Sequence, residues 1–232
     1  MTKKTNQYFA AHRFVLAFAF VGLTACGSSN LNTPLGGAIP NSDGLANHGF
    51  VDAAGTTSNT PTAFSINVTD RDNLTAAQSQ KLDQAVALAD RVMNSQAFKD
   101  RVLNFTYNGQ KQFYQNLGLT NAEIYATLMA GAEQYPSVSL ANNMADMKIS
   151  IYYPAWYSAS SAVAFTNTSD PFLHIYSSYF SSSSLPDLAE TIVHEWTHKM
   201  GFDHDYNSTA PRPYSVPYGI GGIVWDVASA MN

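Results

Sequence analysis

The spacing of apolar residues divides the chain into a helical stretch followed by a strand-like one. The run Thr75-Ala76-Ala77-Gln78 has the form of a capping box, and Leu82, Ala85, Val86, Ala89, Val92 and Met93 follow at helical spacing. That pattern predicts a helix to about Asn94. A second, shorter helix is capped by Ser95 and carries Phe98 and Leu103. Asn108-Gly109 marks a tight turn. Thr120 and Glu123 form another capping box, opening a helix with Ile124, Leu128 and Ala132 on one side. After Pro136 the texture changes. Segments 147–153, 162–166 and 172–180 are rich in β-branched and aromatic residues and predict strands. The serines at 181–184 read as a solvated connector.

Ser184-Leu185-Pro186-Asp187 then opens a further helix: Ser as cap, Pro in the first turn where its missing donor costs nothing, and Asp against the helix dipole. At about 100° per residue, Leu185, Leu188, Ala189, Ile192, Val193, Trp196 and Met200 fall within an arc of roughly 140°. His194 and His198 lie on the other side, away from that stripe. A C-terminal helix is expected over 219–230. These elements sum to an α+β domain.

Composition limits what such a domain can do. The chain has 232 residues, 45% hydrophobic and 12% charged, enough for one core with appendages. Twelve Lys+Arg stand against 17 Asp+Glu, a net charge of −5, so no basic surface exists to hold phosphates and nucleic acid is excluded as a partner. A single Cys rules out an intramolecular disulfide framework, which leaves a core, or a core and a metal, to hold the fold.

The N-terminus reads as an address. Lys3, Lys4 and Arg13 precede an apolar run over 14–22, far shorter than the roughly twenty residues that span a bilayer, so 1–25 is expected to be a signal peptide. Leu23-Thr24-Ala25-Cys26 resembles a bacterial lipobox. The resemblance implies that Cys26 becomes a lipidated mature terminus, holding the protein to a membrane through the lipid alone. With Gly27 rather than Asp after the cysteine, it points to the outer membrane or cell surface. The mature chain then keeps 9 Lys+Arg against 17 acids, a net −8. Residues 26–63, crowded with Gly, Ser, Asn, Thr and Pro, read as a flexible tether, and 64–232 as the functional domain.

The chemistry concentrates in His194-Glu195-Trp196-Thr197-His198-Lys199-Met200-Gly201-Phe202-Asp203-His204-Asp205. Half of the six histidines sit in these residues. Two His at i and i+4 present imidazoles one helical turn apart, as two ligands of one tetrahedral zinc require. Glu195 beside them can act on a metal-bound water without becoming a ligand. Gly201 can take the left-handed conformation that ends the helix, and the turn returns His204 as a third ligand with a fourth position left for water.

Every fixed position of this segment resembles the metzincin zinc peptidases, whose pattern is H-E-x-x-H-x-x-G-x-x-H. The resemblance implies a mixed twisted sheet with an active-site helix and a C-terminal helix. It further implies His194, His198 and His204 as zinc ligands and Glu195 as general base and later proton donor. Asp205 after the third His resembles the adamalysin branch. A gluzincin would need a downstream Glu ligand, and no Glu follows Glu195.

The second hallmark of metzincins is a Met-containing turn beneath the zinc. Met231 lies 27 residues after His204 but leaves no room for a Tyr beyond it. Tyr214-Ser215-Val216-Pro217-Tyr218 resembles the Ser-x-Met-x-Tyr form, with Val216 in the place of Met and Tyr218 offering a hydroxyl to the metal or to a tetrahedral intermediate. His174 has no neighbour at ligand spacing and reads as a strand residue. By the same resemblance its strand, the one before the active-site helix, rims the cleft and pairs with an extended peptide.

The expected function is therefore zinc-dependent hydrolysis of a peptide or protein substrate. Two alternatives share the same residues. One is a surface binding lipoprotein that keeps zinc only for structure, although an intact Glu195 is superfluous there. The other is a zinc hydrolase of a non-peptide amide. Nothing in the sequence speaks to oligomeric state.

Overall fold

The computed structural model describes residues 50–51, 57–58, 63–131, 133–137, 141–155 and 163–231. The signal peptide expected over 1–25, Cys26 and most of the tether lie outside the described residues. The chain divides into two units, Met1–Pro61 and Thr62–Asn232. In the first, β1 (Phe50–Val51) pairs antiparallel with β2 (Thr57–Ser58), Phe50 opposite Ser58. This short ladder lies within the stretch expected to be a tether.

The second unit is α+β. In chain order it holds β3 (Ser65–Asp72), α1 (Ala76–Met93), α2 (Gln96–Leu103), α3 (Asn121–Ala130), β4 (Met144–Tyr152), β5 (Ala164–Thr166), β6 (Phe172–Tyr176), α4 (Ser177–Ser182), α5 (Leu185–Lys199) and α6 (Val216–Met231). A single 3₁₀ turn, Arg212–Tyr214, precedes α6. The four strands form one mixed sheet in the order β3-β4-β6-β5. β3, β4 and β6 run parallel, and β5 is antiparallel to β6 at the edge.

The capping boxes at Thr75/Gln78, Thr120/Glu123 and Ser184/Asp187 all form, each side chain accepting from the third helical residue while that residue's side chain reaches back. Asn108 and Gly109 both have positive φ, 51° and 73°, and turn the chain so that Tyr107 bridges Gln110. The core gathers Leu82, Leu88, Val92 and Met93 of α1, Phe98 of α2, Ile149 and Ile151 of β4, and Leu188, Ile192 and Trp196 of α5, all fully buried. Trp196 tilts against Phe64 at 5.6 Å between ring centroids, and its Nε1 donates to Glu133 Oε1 at 2.9 Å. Glu133 Oε1 also accepts from the backbone N–H of Asp146 at 3.0 Å, which ties the underside of α5 to β4.

Several boundaries differ from the sequence expectation. β3 went unread because Asn67, Asp70, Arg71 and Asp72 interrupt its alternation. It is an edge strand, and charge along an edge is what keeps it from pairing with other chains. β4 starts three residues earlier than expected. The helix of Ile124 and Leu128 ends at Ala130, with Gly131 in the left-handed cap, and Ala132 lies outside the described residues, as does 162. The strand expected over 172–180 stops at Tyr176, and two of the four serines expected to form a connector, Ser181 and Ser182, belong to α4. Ser181 and Ser182 donate to the carbonyls of Ser177 and Ser178, four residues back, so hydroxyls sustain a helical turn where side-chain type alone suggested a strand and a loop. The C-terminal helix begins at Val216, three residues before the expected start, because Ser215 ends the 3₁₀ turn and its carbonyl accepts the first helical N–H, from Gly219 at 2.7 Å.

Candidate metal centre

Helix α5 carries His194 and His198 one turn apart, and its end places the third histidine. Gly201 has φ 89°. Its N–H donates to the His198 carbonyl and the Phe202 N–H to the Thr197 carbonyl, the pair of bonds that closes a Schellman motif. Phe202 is buried beneath the turn, so the chain doubles back and brings His204 to the face already occupied by the other two. Ring centroids stand 5.3 Å apart for His194 and His198, 5.4 Å for His194 and His204, and 4.9 Å for His198 and His204. One ring nitrogen from each lies within 4.8 Å of the others.

The other nitrogens are committed to the backbone. His198 Nδ1 lies 2.8 Å from the Phe202 carbonyl and His204 Nδ1 lies 3.1 Å from the Asp205 carbonyl. His194 bonds the backbone of Pro217, which has only a carbonyl to offer. A carbonyl can only accept, so each ring presents N–H to the backbone and a lone pair to its neighbours. This is the outer bonding that orients metal-ligating histidines. Burial, and after it the nearby His198, His204 and Arg212, holds the His194 imidazolium pKa well below its usual value. Burial likewise lowers His198 and His204. All three are thereby favoured as neutral donors. Three nitrogens at about 2.0–2.1 Å from one tetrahedral ion stand about 3.3–3.4 Å apart. Inward ring movements of the order of an ångström close the set, and the group can hold a metal ion.

Glu195 is buried beside the histidines, on the flank of α5 that faces β5. Its carboxyl is pushed up to about 7, chiefly by burial. Tyr218, in the first turn of α6, brings its ring within 4.6 Å of His194 and 4.8 Å of His204. The Arg212 guanidinium lies 4.8 Å over the Tyr218 ring, a cation–π contact, and among the described residues no carboxylate pairs with it.

His194, His198, His204, Glu195 and Tyr218 thus come together, as expected. Met231 does not. It is half-exposed at the last residue of α6, about 20 Å along the helix from Tyr218. Val216, which stands in the methionine's place, is fully buried. His174 stays on β6, where it bonds Asp170 Oδ2 at 2.8 Å and stacks on Phe165 at 4.6 Å. The rim strand also changes. It is β5, not β6, that forms the sheet edge and packs on α5, because β6 is enclosed between β4 and β5.

Sequence reading missed four contributors. Glu190 lies one turn before His194, a spacing that was available. Lys199 is buried and its Nζ donates to the carbonyls of Asn167 (3.0 Å) and Asp170, pinning the β5–β6 turn to the end of α5. Asp205, read only as a branch marker, accepts from Gln115 Nε2 at 2.9 Å, Tyr114 Oη at 3.3 Å and Thr209 Oγ1. Arg212 carries no periodic signal, since it sits in the 3₁₀ turn. Comparison of the chain with protein-family models, curated proteins and solved structures finds no match, so the functional reading rests on these residues.

Proposed function

We propose that the chain is a zinc-dependent endopeptidase of metzincin type. The observation that carries this is the joint arrangement of three imidazoles, each oriented by a backbone carbonyl, beside a buried carboxyl that is not part of their set. A site kept for structure alone closes with a fourth protein ligand and has no use for such a carboxyl. Held by His194, His198 and His204, zinc would supply Lewis acidity toward water and a carbonyl group.

The remaining work falls to the chain. Glu195 takes a proton from the attacking water on its carboxylate and returns it to the departing amine. A pKa of about 7 suits both transfers at neutral pH. Tyr218 can donate its hydroxyl proton to the carbonyl oxygen as negative charge develops there, and Arg212 adds positive potential from the ring face. The outer edge of β5 has no strand partner among the described residues, so its backbone can hold an extended peptide across the site. Glu195→Ala is expected to keep the metal and lower kcat by roughly 10²–10⁴ on a casein-type substrate. Full turnover by that variant would remove the assigned base.

We further propose that the enzyme works from the cell envelope, held by lipid on Cys26. No helix among the described residues is long and apolar enough to cross a membrane. Cys26→Ser is expected to move the protein from the membrane to the soluble fraction, and unchanged fractionation refutes the anchor.

A further inference from the structure

Glu190 is a half-buried acid that the mechanism above does not use. It lies four residues before His194, as His194 lies four before His198, and successive positions at this spacing drift by only about 40° around the helix. The carboxyl therefore points to the same face as the metal ligands, about 6 Å along the axis from the first of them. Helix α6 passes over that face in the opposite sense: Tyr218 meets His194, Gly221 meets Glu190, and Trp225 Nε1 donates to Asp187 Oδ1 at 2.9 Å.

The crossing leaves room where Glu190 sits. A Cβ on Gly221 would stand 3.0 Å from Glu190 Oε1 and 3.4 Å from both Glu190 Cγ and His194 Cβ, so any larger residue would press on the carboxyl and on the first ligand. At Gly222 a Cβ would meet nothing within 4 Å. Two consecutive glycines in a helix weaken it. Here Gly221 makes room for the Glu190 carboxyl itself, which fills the slot beneath α6.

Within that slot the carboxyl is poorly compensated. Oε2 accepts from Thr191 Oγ1 at 3.2 Å, and that hydroxyl is shared with the Asp187 carbonyl at 2.9 Å. Oε1 has no hydrogen-bond donor, and no Lys, Arg or His nitrogen comes within 4.0 Å, among the described residues. Burial pushes the group up to about 7, with Asp187 adding to the rise. A fold gains nothing from an acid held in this way. A glutamine would serve the same hydrogen bond without the cost of burying charge.

We propose that Glu190 forms a cation-selective subsite of the active centre, receiving the ammonium or guanidinium of a substrate residue that flanks the scissile bond. This deepens the peptidase reading and rests on it. The distances suit the assignment. One helical turn is about 5.4 Å and an extended peptide advances about 3.4 Å per residue, so the residue next to the attacked carbonyl is the one whose side chain reaches the slot. Asp187 and Glu195 on the same helix reinforce the negative potential, while Arg212 stacks on the Tyr218 ring. A cation reaching the partly exposed carboxyl supplies the partner that it lacks, and an acidic side chain would meet unrelieved repulsion.

The test uses the full chain loaded with zinc and peptides acetylated and amidated at their ends, differing only beside the cleavage point: lysine, arginine, norleucine or glutamate. Lysine and arginine peptides are expected to exceed norleucine in kcat/KM by about thirtyfold or more, with glutamate lowest, and Glu190→Gln to collapse most of that ratio. Calorimetric titration of the same peptides into the metal-free chain gives a readout without turnover. There the lysine peptide should bind about tenfold tighter than norleucine, and lose the advantage in Glu190→Gln. Peptides with a free amino terminus form a second arm. A preference confined to it assigns the cation to the substrate's terminal amine, still held by Glu190. Equal kcat/KM and equal Kd for lysine and norleucine peptides on the natural chain, with no gain from a free amino terminus, overturn the subsite, whether or not Glu190→Gln folds. Glu190-dependent binding of basic peptides with no cleavage of any peptide leaves the subsite standing and removes the peptidase reading instead.

Discussion

His194 and His198 differ from His204 and Tyr218 in how they are held. The first pair stand on α5, whose opposite face is the centre of the core, with Leu188, Ile192 and Trp196 fully buried. Their separation follows from the pitch of a helix, and nothing distant is needed to set it. His204 instead lies in an irregular loop and Tyr218 at the start of another helix. What steadies the loop is a polar clamp: Asp205 receives Gln115 Nε2, Tyr114 Oη and Thr209 Oγ1, two of them from residues 90 and 91 positions earlier. The Tyr114 N–H also donates to the Tyr214 carbonyl at 2.8 Å, so the same distant segment braces the approach to α6. One half of the centre is built by local geometry, the other by long-range hydrogen bonds that water can compete for.

The sharpest way to break this contrast is to delete a ligand from the rigid half. His198→Ala removes one of three nitrogens from a site where α5 offers no substitute. The purified variant is expected to carry no metal after dialysis, by elemental analysis. Stoichiometric metal in that variant would mean that the ion, if bound at all, is bound elsewhere. Asp205→Ala tests the other half. It leaves all three imidazoles in place but frees the loop whose carbonyl orients His204 Nδ1. By the usual effect of outer partners, metal affinity should fall about 10–100-fold while the fold persists. A loss as complete as that of His198→Ala would show that the loop does not form without its clamp. No loss at all would show that the Schellman turn at Gly201 suffices to place His204.

The contrast also explains what could be read before the structure. Helix caps at Thr75, Thr120 and Ser184 involve partners three residues apart, and the ligands on α5 are four apart, so a linear chain displays them. The turn at Asn108-Gly109 belongs to the same class. β3 escaped notice because a half-exposed edge strand needs few apolar positions, and Ile66 and Val68 alone do not make a pattern. The strand end at Tyr176 was misplaced because serine is neutral between helix and loop, and its choice depended on carbonyls four residues back. Glu190 could have been found from its spacing to His194. Its lack of a counter-charge, and the slot left by Gly221, could not, since both depend on the docking of α6. The β5 rim was assigned to the wrong strand for a topological reason: sequence order does not say that the chain crosses to the edge before returning to the middle of the sheet.

The β5 rim repeats the contrast on a smaller scale, with the smallest expected effect. β5 has three residues, and its position over Glu195 depends on the turn that joins it to β6. Asp170 organises that turn. Its Oδ1 accepts from the Phe172 N–H at 2.9 Å, its Oδ2 lies 2.8 Å from His174 Nε2, and its carbonyl receives Lys199 Nζ. The Phe172 bond, and after it the His174 contact, holds the Asp170 carboxyl below its usual 3.8. A carboxyl depressed in the folded state binds protons more readily once unfolded. Its stabilisation is therefore complete above the ordinary value and is lost as pH falls through the lowered one. Asp170→Asn should accordingly melt below the natural chain at neutral pH, by a modest margin because the group is largely solvated, and the two curves should converge as pH drops below 3.8. A margin that stays constant into acid would mean that the carboxylate charge plays no part, and that Lys199 alone pins the rim to the helix.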